Sequence, residues 1–325
     1  MQNDAKLFPK SSGGRWPLVV IAGPTGSGKS ALALALARTF HGEVLSCDSV
    51  QIYRFFDIGS AKVPEAERRG IPHHMVDIAP PDAVFTAGAY SRLGRKALDE
   101  IRARGRLPIV AGGTGFYLRA LLEGLFTGPK RDEKLRRDLA HREEARPEFL
   151  HRFLRRFDPA AARRIHRNDN NKLIRAVEVC VLERSPMTSL LGYRKQPLES
   201  YQALKIGLDP PRDELRRRIN ERCRRMFDQG LVEETRSILG LGFAEGCRAF
   251  QSLGYSQALC VLRGEWQPDR ALADLQLQTW RYAKRQWTWF RADTEIKWLD
   301  GFGGDERIQQ AAEAAVKTFL AALLD

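Results

Sequence analysis

The sequence predicts an α/β protein with a parallel sheet covered by helices on both faces, interrupted by an inserted all-helical domain. Three observations predict it. Short apolar runs alternate with long helical segments, the pattern of βα units. A glycine-rich loop joins the first apolar run to a strong helix former. The alternation then breaks for one Arg-rich stretch that has no β-like run.

Taken in order, residues 1–14, MQNDAKLFPKSSGG, have no apolar signal core and are expected to be a short disordered lead. Strands are expected at Leu18–Ala22, Glu43–Cys47, Leu107–Ala111, Ala203–Leu208 and Glu295–Leu299, with a weaker one at Met75–Ile78. Pro210-Pro211 opens a helix over DELRRRINERCRRMF, with proline at its first turn, and a second long helix runs from about Pro268 to Trp289. The expected core spans 15–128 and 201–325, and the helical insertion 129–200.

With 325 residues the chain can bury a large core. It is 43% hydrophobic and 29% charged, the balance of a soluble globular protein, and no apolar run approaches the ~18 residues of a membrane span. Cys47, Cys180, Cys223, Cys247 and Cys260 are odd in number and form no CxxC, which argues against a disulfide framework or a structural zinc. A cytoplasmic location is expected, with no membrane and no obligate protein partner. Net charge is +13, which points to a polyanionic partner. Between Pro129 and Arg175 there are 15 Lys and Arg against 8 Asp and Glu, so about half of the excess lies in the insertion.

The strongest chemical signal is Gly23-Pro24-Thr25-Gly26-Ser27-Gly28-Lys29-Ser30, which fits G-x-x-x-x-G-K-[ST]. It follows Leu18-Val19-Val20-Ile21 and precedes Ala31-Leu32-Ala33-Leu34, the strand–loop–helix setting in which such a loop wraps phosphate oxygens. The architecture expected is therefore P-loop NTPase-like. Lys29 reaches the phosphates and the Ser30 hydroxyl ligands Mg²⁺. A bare strand-to-helix turn is the alternative, and these flanks disfavour it.

The companions of nucleotide hydrolysis are missing. An NTPase places an Asp at the end of a second apolar strand to hold Mg²⁺. Leu107-Pro108-Ile109-Val110 ends instead in Ala111-Gly112-Gly113-Thr114-Gly115. What stands at a strand end is Asp48, where open α/β sheets bind ligands; it can hold Mg²⁺ through water, act as a base, or merely cap a turn. Arg218 and Arg222 share a helix face, suited to a diphosphate or simply a solvated basic stripe. Arg281, Lys284 and Arg285 among Trp280, Trp287 and Trp289 invite a base-stacking role, although tryptophan so placed is more often core. His73-His74 suggest a metal only weakly, because neighbours on a strand point opposite ways.

Together GPTGSGKS, DSVQIYR, DIGSAK, PHHMVDI, GGTGFYLRALLEGL, LIRAVEV, GLDPPRDELRRRI, LGYSQ and AKRQWTWFR form an ordered set from about Pro17 to Arg291. In this the chain resembles the tRNA dimethylallyltransferases of bacterial type. The resemblance implies that the loop, Gly23 to Ser30, holds the diphosphate of dimethylallyl diphosphate rather than a nucleotide. Lys29, Ser30, Arg218 and Arg222 would stabilise that diphosphate with Mg²⁺, and Asp48 would be the general base. It implies tRNA contacts at Asp48, Ser49, Val50 and Gln51, with Gln51 reading the adenine edge, and at Thr114. Further contacts are implied at Arg136, at Asn171, Lys172, Leu173, Ile174 and Arg175, and at Phe250, Gln251, Ser252, Leu253, Gly254, Tyr255 and Ser256. Ser60, Arg167, Trp280 and Ser256-Gln257 depart from the family pattern and bear on individual tRNA contacts, not on the reaction. Two other classes compete: a P-loop small-molecule or nucleotide kinase, which the basic charge and the insertion fit poorly, and a non-catalytic RNA-binding protein, which an intact Lys29, Ser30 and Asp48 argue against.

Overall fold

The computed structural model describes residues 14–125, 128–190 and 196–323. The chain divides into two compact units: Leu122–Pro197 is one, and the remainder is the other. The strands are β1 (Trp16–Ala22), β2 (Gly42–Cys47), β3 (His73–His74), β4 (Leu107–Gly112), β5 (Tyr201–Leu208) and β6 (Lys297–Leu299). The helices are α1 (Lys29–Thr39), α2 (Ala87–Ala103), α3 (Gly115–Leu122), α4 (Glu133–Ala145), α5 (Phe149–Phe157), α6 (Pro159–Arg164), α7 (Asn170–Glu183), α8 (Met187–Leu190), α9 (Arg212–Asp228), α10 (Leu231–Gly240), α11 (Tyr255–Leu262), α12 (Pro268–Arg291) and α13 (Glu306–Ala321).

In the larger unit all six strands run parallel in the order β3-β2-β4-β1-β5-β6. Every residue of β1 is buried, which is why it reads as a continuous apolar run rather than an alternating one. Val19 sits opposite Ile109 on one side and Leu204 on the other. The chain moves outward from β1 to β2 and later returns from β3 to β4. Because such crossovers are right-handed, this reversal of direction puts α1 and α2 on opposite faces of the sheet. The fold is the parallel, helix-covered sheet expected from the sequence.

Several details differ from expectation; β1 and β5 each begin two residues earlier, at Trp16 and Tyr201. No strand forms at Met75–Ile78, because Met75 and Asp77 are left-handed, with φ of 61° and 57°. The ladder there is His73–His74 against Val44–Leu45, and the chain then turns so that the amides of Asp77 and Ala79 donate to Gln51 and Ile52. Pro211 is the cap residue before α9 rather than part of its first turn. The last strand starts at Lys297, two residues later than expected.

The smaller unit packs α4 to α8 around Leu139, Leu150, Leu154, Leu173 and Val177. Asp132, Asp158 and Asp169 each accept a backbone N–H at a helix start, contributing about 1 kcal/mol apiece. It also buries the carboxylate of Glu178, which accepts from Arg136 at 3.0 Å, from Arg175 at 2.7 Å and from the amide of Asp132 at 2.8 Å. Among the described residues no helix is long and apolar enough to cross a membrane, and all five cysteines are free.

Candidate active site

The glycine-rich loop lies at the carboxyl end of β1, between β4 and β5. Its curvature needs glycine at two positions in particular. Gly23 has φ of 144°, and a Cβ there would stand 2.9 Å from the carbonyl of Leu208; Gly28, at 87°, lies equally close to Gly303. Beyond the loop, Gly303 donates to the carbonyl of Ser27 at 2.9 Å and braces it. α1 then begins with no acidic residue in its first turn, so the positive end of its dipole meets no internal counter-charge.

Two cations meet at this loop. The Lys29 ammonium folds back to the carbonyls of Gly23 at 3.0 Å and Pro24 at 2.7 Å. Burial of that ammonium, reinforced by repulsion from Arg222, lowers its pKa to about 7 against the opposing pull of Asp48. Arg222 donates to the Thr25 hydroxyl at 2.7 Å, and burial lowers its pKa as well. The buried Nε of Arg222 and the buried Oγ of Ser27 have no hydrogen-bond partner among the described residues. Such orphans beside two crowded cations mark a cradle suited to an anion. Arg218 stands one turn earlier, its guanidinium 3.5 Å from the centre of the Phe302 ring and bonded to Glu214 at 3.0 Å.

Asp48 follows the last residue of β2 and is half-buried. Its Oδ1 accepts the amides of Val50 at 2.8 Å and Gln51 at 3.2 Å, which fixes the turn. That carries the capping reading; among the described residues none bonds Oδ2, so the same carboxylate keeps an oxygen for chemistry. Thr114 takes the amide of Ser49 on its hydroxyl at 3.2 Å and donates its own amide to Cys47 at 3.2 Å, which ties β4 to the Asp48 turn. Gln51 is held inward: its oxygen accepts from Ser46 at 2.8 Å and its nitrogen donates to Ser60 at 3.1 Å. In this arrangement the Gln51 amide is already engaged and must release Ser60 to read a base.

An open cavity adjoins the loop, with Ser30, Ser46, Gln51, Lys62, Arg68 and His73 among its polar lining residues and Val44, Val63, Val76 and Ala111 among its apolar ones. Ser30 is exposed at its edge. One hydroxyl and one nearby half-buried carboxylate suit Mg²⁺, which takes few protein ligands and completes its shell with phosphate and water. No group of three or more His, Cys, Asp or Glu that could hold a metal exists among the described residues, and His73-His74 form no metal pair. His74 bonds Glu43 at 2.6 Å, while the other ring faces the carbonyl of Ile71.

Not every expected RNA contact faces outward. Leu173 and Ile174 are core residues of the smaller unit, and Phe250, Gly254 and Tyr255 are buried in the larger one. The apolar character of these segments reflects packing. Asn171, Lys172 and Gln251 are exposed, and Ser252, Leu253 and Ser256 are partly so. Arg136 and Arg175 are engaged with Glu178. Trp280 and Trp287 pack in the core, where the Trp287 indole donates to Asp209 at 2.8 Å, while Trp289 is exposed and lies over Gly115.

Two residues at the site were not singled out in the sequence. Gln286 accepts the amide of Thr25 at 2.7 Å and donates to the carbonyl of Gly113 at 2.9 Å. Tyr282 lies beside Thr114 and Gln286, and burial followed by the Asp48 charge raises its pKa to about 12. The available signal was an amide at position 286 on the apolar face of α12, between Ala283, Trp287 and Phe290.

Residues 51–293 match the family described as IPP transferase. The tRNA dimethylallyltransferase of Solibacter usitatus is 54% identical over 304 residues, 94% of this chain and 99% of that protein. The enzyme of the same name from Koribacter versatilis is 51% identical over 93% of this chain and 98% of its own length. Among solved structures, the tRNA isopentenylpyrophosphate transferase of Bacillus halodurans superposes with a TM-score of 0.71 at 34% identity, covering 95% of this chain and 98% of that one. A eukaryotic dimethylallyltransferase solved acting on tRNA gives 0.76 at 26%, over 94% of this chain and 78% of that one. With matches that span nearly its whole length, the chain belongs to the IPP transferase family, that of the tRNA dimethylallyltransferases.

Proposed function

We propose that the protein transfers the dimethylallyl group of dimethylallyl diphosphate to N6 of the adenosine immediately 3′ of the tRNA anticodon, releasing diphosphate. The observation that carries this reading is the pairing of a phosphate loop with Asp48, at a site where the strand beside β1 ends in Gly113-Thr114 and supplies no NTPase carboxylate. The adenine N6 lone pair is delocalised into the purine, so the reaction needs an excellent leaving group and a base. Lys29, Arg222, Arg218 and the amides at the start of α1 take up the charge that grows on the diphosphate as its C–O bond breaks. Asp48 accepts the N6 proton as the new C–N bond forms. The Ser30 hydroxyl would hold Mg²⁺, which would supply further charge neutralisation for the leaving group.

The target adenine must leave its stack to reach Asp48, as bases modified inside folded nucleic acids do. Thr114 and the Ser49–Gln51 turn are suited to receive it, and the apolar side of the cavity suits a five-carbon tail. The smaller unit, with its excess of Arg, is suited to hold the anticodon stem through phosphates, contacts that set register but read no sequence.

The test is transfer of label from dimethylallyl diphosphate to unmodified anticodon stem–loop RNA. Prenylated adenosine at the position 3′ of the anticodon is the expected product. Phosphate transfer from ATP to a small molecule, with no prenylated RNA, would establish the kinase reading in its place.

A further inference from the structure

The two halves of the site come from distant parts of the chain, and one buried amide joins them. Gln286, only 5% exposed, spans from the amide of Thr25 in the phosphate loop to the carbonyl of Gly113 at the end of β4. The packing is close: a Cβ on Gly113 would stand 2.1 Å from Gln286 Nε2, and one on Gly115 2.2 Å from the ring of Trp289. From Gly113 the path continues through Thr114, whose hydroxyl accepts the amide of Ser49 beside Asp48. One turn back on α12, Tyr282 stands beside Thr114 and Gln286.

The chemistry at the junction is asymmetric. Thr25 presents a donor and Gly113 an acceptor, and a carboxamide is the side-chain group that answers both with one rigid plane. Glutamate would face the Gly113 carbonyl with a second acceptor. Leucine would take the acceptor from the half-buried Thr25 N–H and leave the Gly113 C=O only the amide of Gly115, at 3.2 Å.

We infer that Gln286, supported by Tyr282, is a positioning residue that sets the distance between the diphosphate loop and the Asp48–Thr114 turn. It touches neither reacting atom. Its effect falls on the alignment of leaving group, nucleophile and base, where misplacement by about 1 Å costs on the order of 10²-fold in rate. This inference rests on the proposed prenyl transfer, so its test includes a readout that needs no chemistry.

The variants are Gln286→Leu and Gln286→Glu in the full-length protein. In single turnovers with stem–loop RNA, Gln286→Leu is expected to lose about 10- to 100-fold in rate while the Kd values of RNA and of inorganic diphosphate stay within about threefold. Gln286→Glu is expected to be impaired at pH 8 and to recover towards wild type at pH 6, because its protonated carboxyl again offers one acceptor and one donor. Hydrogen exchange gives the independent readout. Inorganic diphosphate should slow exchange in the wild type both at residues 23–30 and at 111–118, and in Gln286→Leu only at 23–30. If Gln286→Leu does not fold, the Gln286→Glu pH comparison decides alone. Equal protection of 111–118 in wild type and variant, or a Gln286→Glu to wild-type rate ratio that does not change between pH 8 and 6, overturns the inference. A wild type that fails to prenylate RNA but shows the coupled protection would sink the functional reading and leave the positioning role standing.

Discussion

Arg136 lies 3.0 Å from the carboxylate of Glu178, a side chain with no exposure to solvent. Arg175 donates to the same carboxylate oxygen at 2.7 Å and also to the carbonyl of Pro129. A carboxylate enclosed in this way depends on its partners, since a buried charge left alone is far costlier than the pair is favourable. Both arginines therefore hold the smaller unit together, whatever else they meet.

Replacing Arg136 by Ala should accordingly destabilise the smaller unit, and Arg136→Ala together with Arg175→Ala should do so by about 3–5 kcal/mol, because Glu178 then has no counter-ion. Glu178→Gln in that double variant should restore part of the loss by removing the charge. Thermal or urea unfolding of the three proteins measures this. An unchanged midpoint in the double variant would show that the Glu178 network carries no stability.

Salt dependence separates RNA contact from structure. Arg155, Arg156, Arg163 and Arg164 are exposed at the ends of α5 and α6. If they meet tRNA phosphates, each change to Ala should lower the slope of log K against log salt by about one unit or less, alike for every substrate RNA. Folding and diphosphate affinity should not change. Four single variants with the wild-type slope would mark these charges as a solvated helix-end surface.

Lys29→Ala should weaken diphosphate binding and slow transfer together, because the ammonium lies where the phosphates sit both before and during departure. RNA affinity should hardly move. Transfer within twofold of the wild-type rate would remove Lys29 from the loop's role.

The lowered pKa of Lys29, about 7, makes binding pH-dependent with a definite sign. An anion in contact with the ammonium favours its charged form and raises the pKa again. Above pH 7 the lysine is largely neutral without the anion and charged with it, so binding near pH 8.5 should take up close to one proton, falling towards none near pH 6. Calorimetry in buffers of different ionisation enthalpy reads this directly. The uptake should disappear in Lys29→Ala, and its persistence there would assign the proton to another group. The same shift bears on folding: the lysine pKa is lower folded than unfolded, so the stability penalty of burying its charge is present below pH 7 and is relieved as the pH rises from about 7 towards 10.5.

Asp48→Asn keeps the acceptor that caps the turn to Val50 and Gln51 but cannot take the N6 proton. Turnover should fall by roughly 10²–10⁴, with RNA affinity much less affected. Wild-type turnover would exclude Asp48 as the base, and an equal loss of binding and turnover would assign it to the turn alone.

Much of this molecule is local information. The apolar β1, the helix former behind Lys29 and the glycines at 23, 26 and 28 are read from neighbours in sequence, because strand, loop and helix obey short-range periodicity and sterics. Asp48 was visible for the same reason, as an acid at a strand end. The short strand at His73–His74 was missed because two left-handed residues, Met75 and Asp77, follow it, and a run of apolar side chains does not reveal the sign of φ. Only the tertiary structure decided which arginines face a ligand and which a buried carboxylate: Arg136, Arg218 and Arg222 look alike on a helix, yet one meets Glu178, one Phe302 and one Thr25. It alone could pair Gln286 with Thr25 across 261 residues, since periodicity specifies the face on which a side chain lies but not the distant backbone that will meet it there.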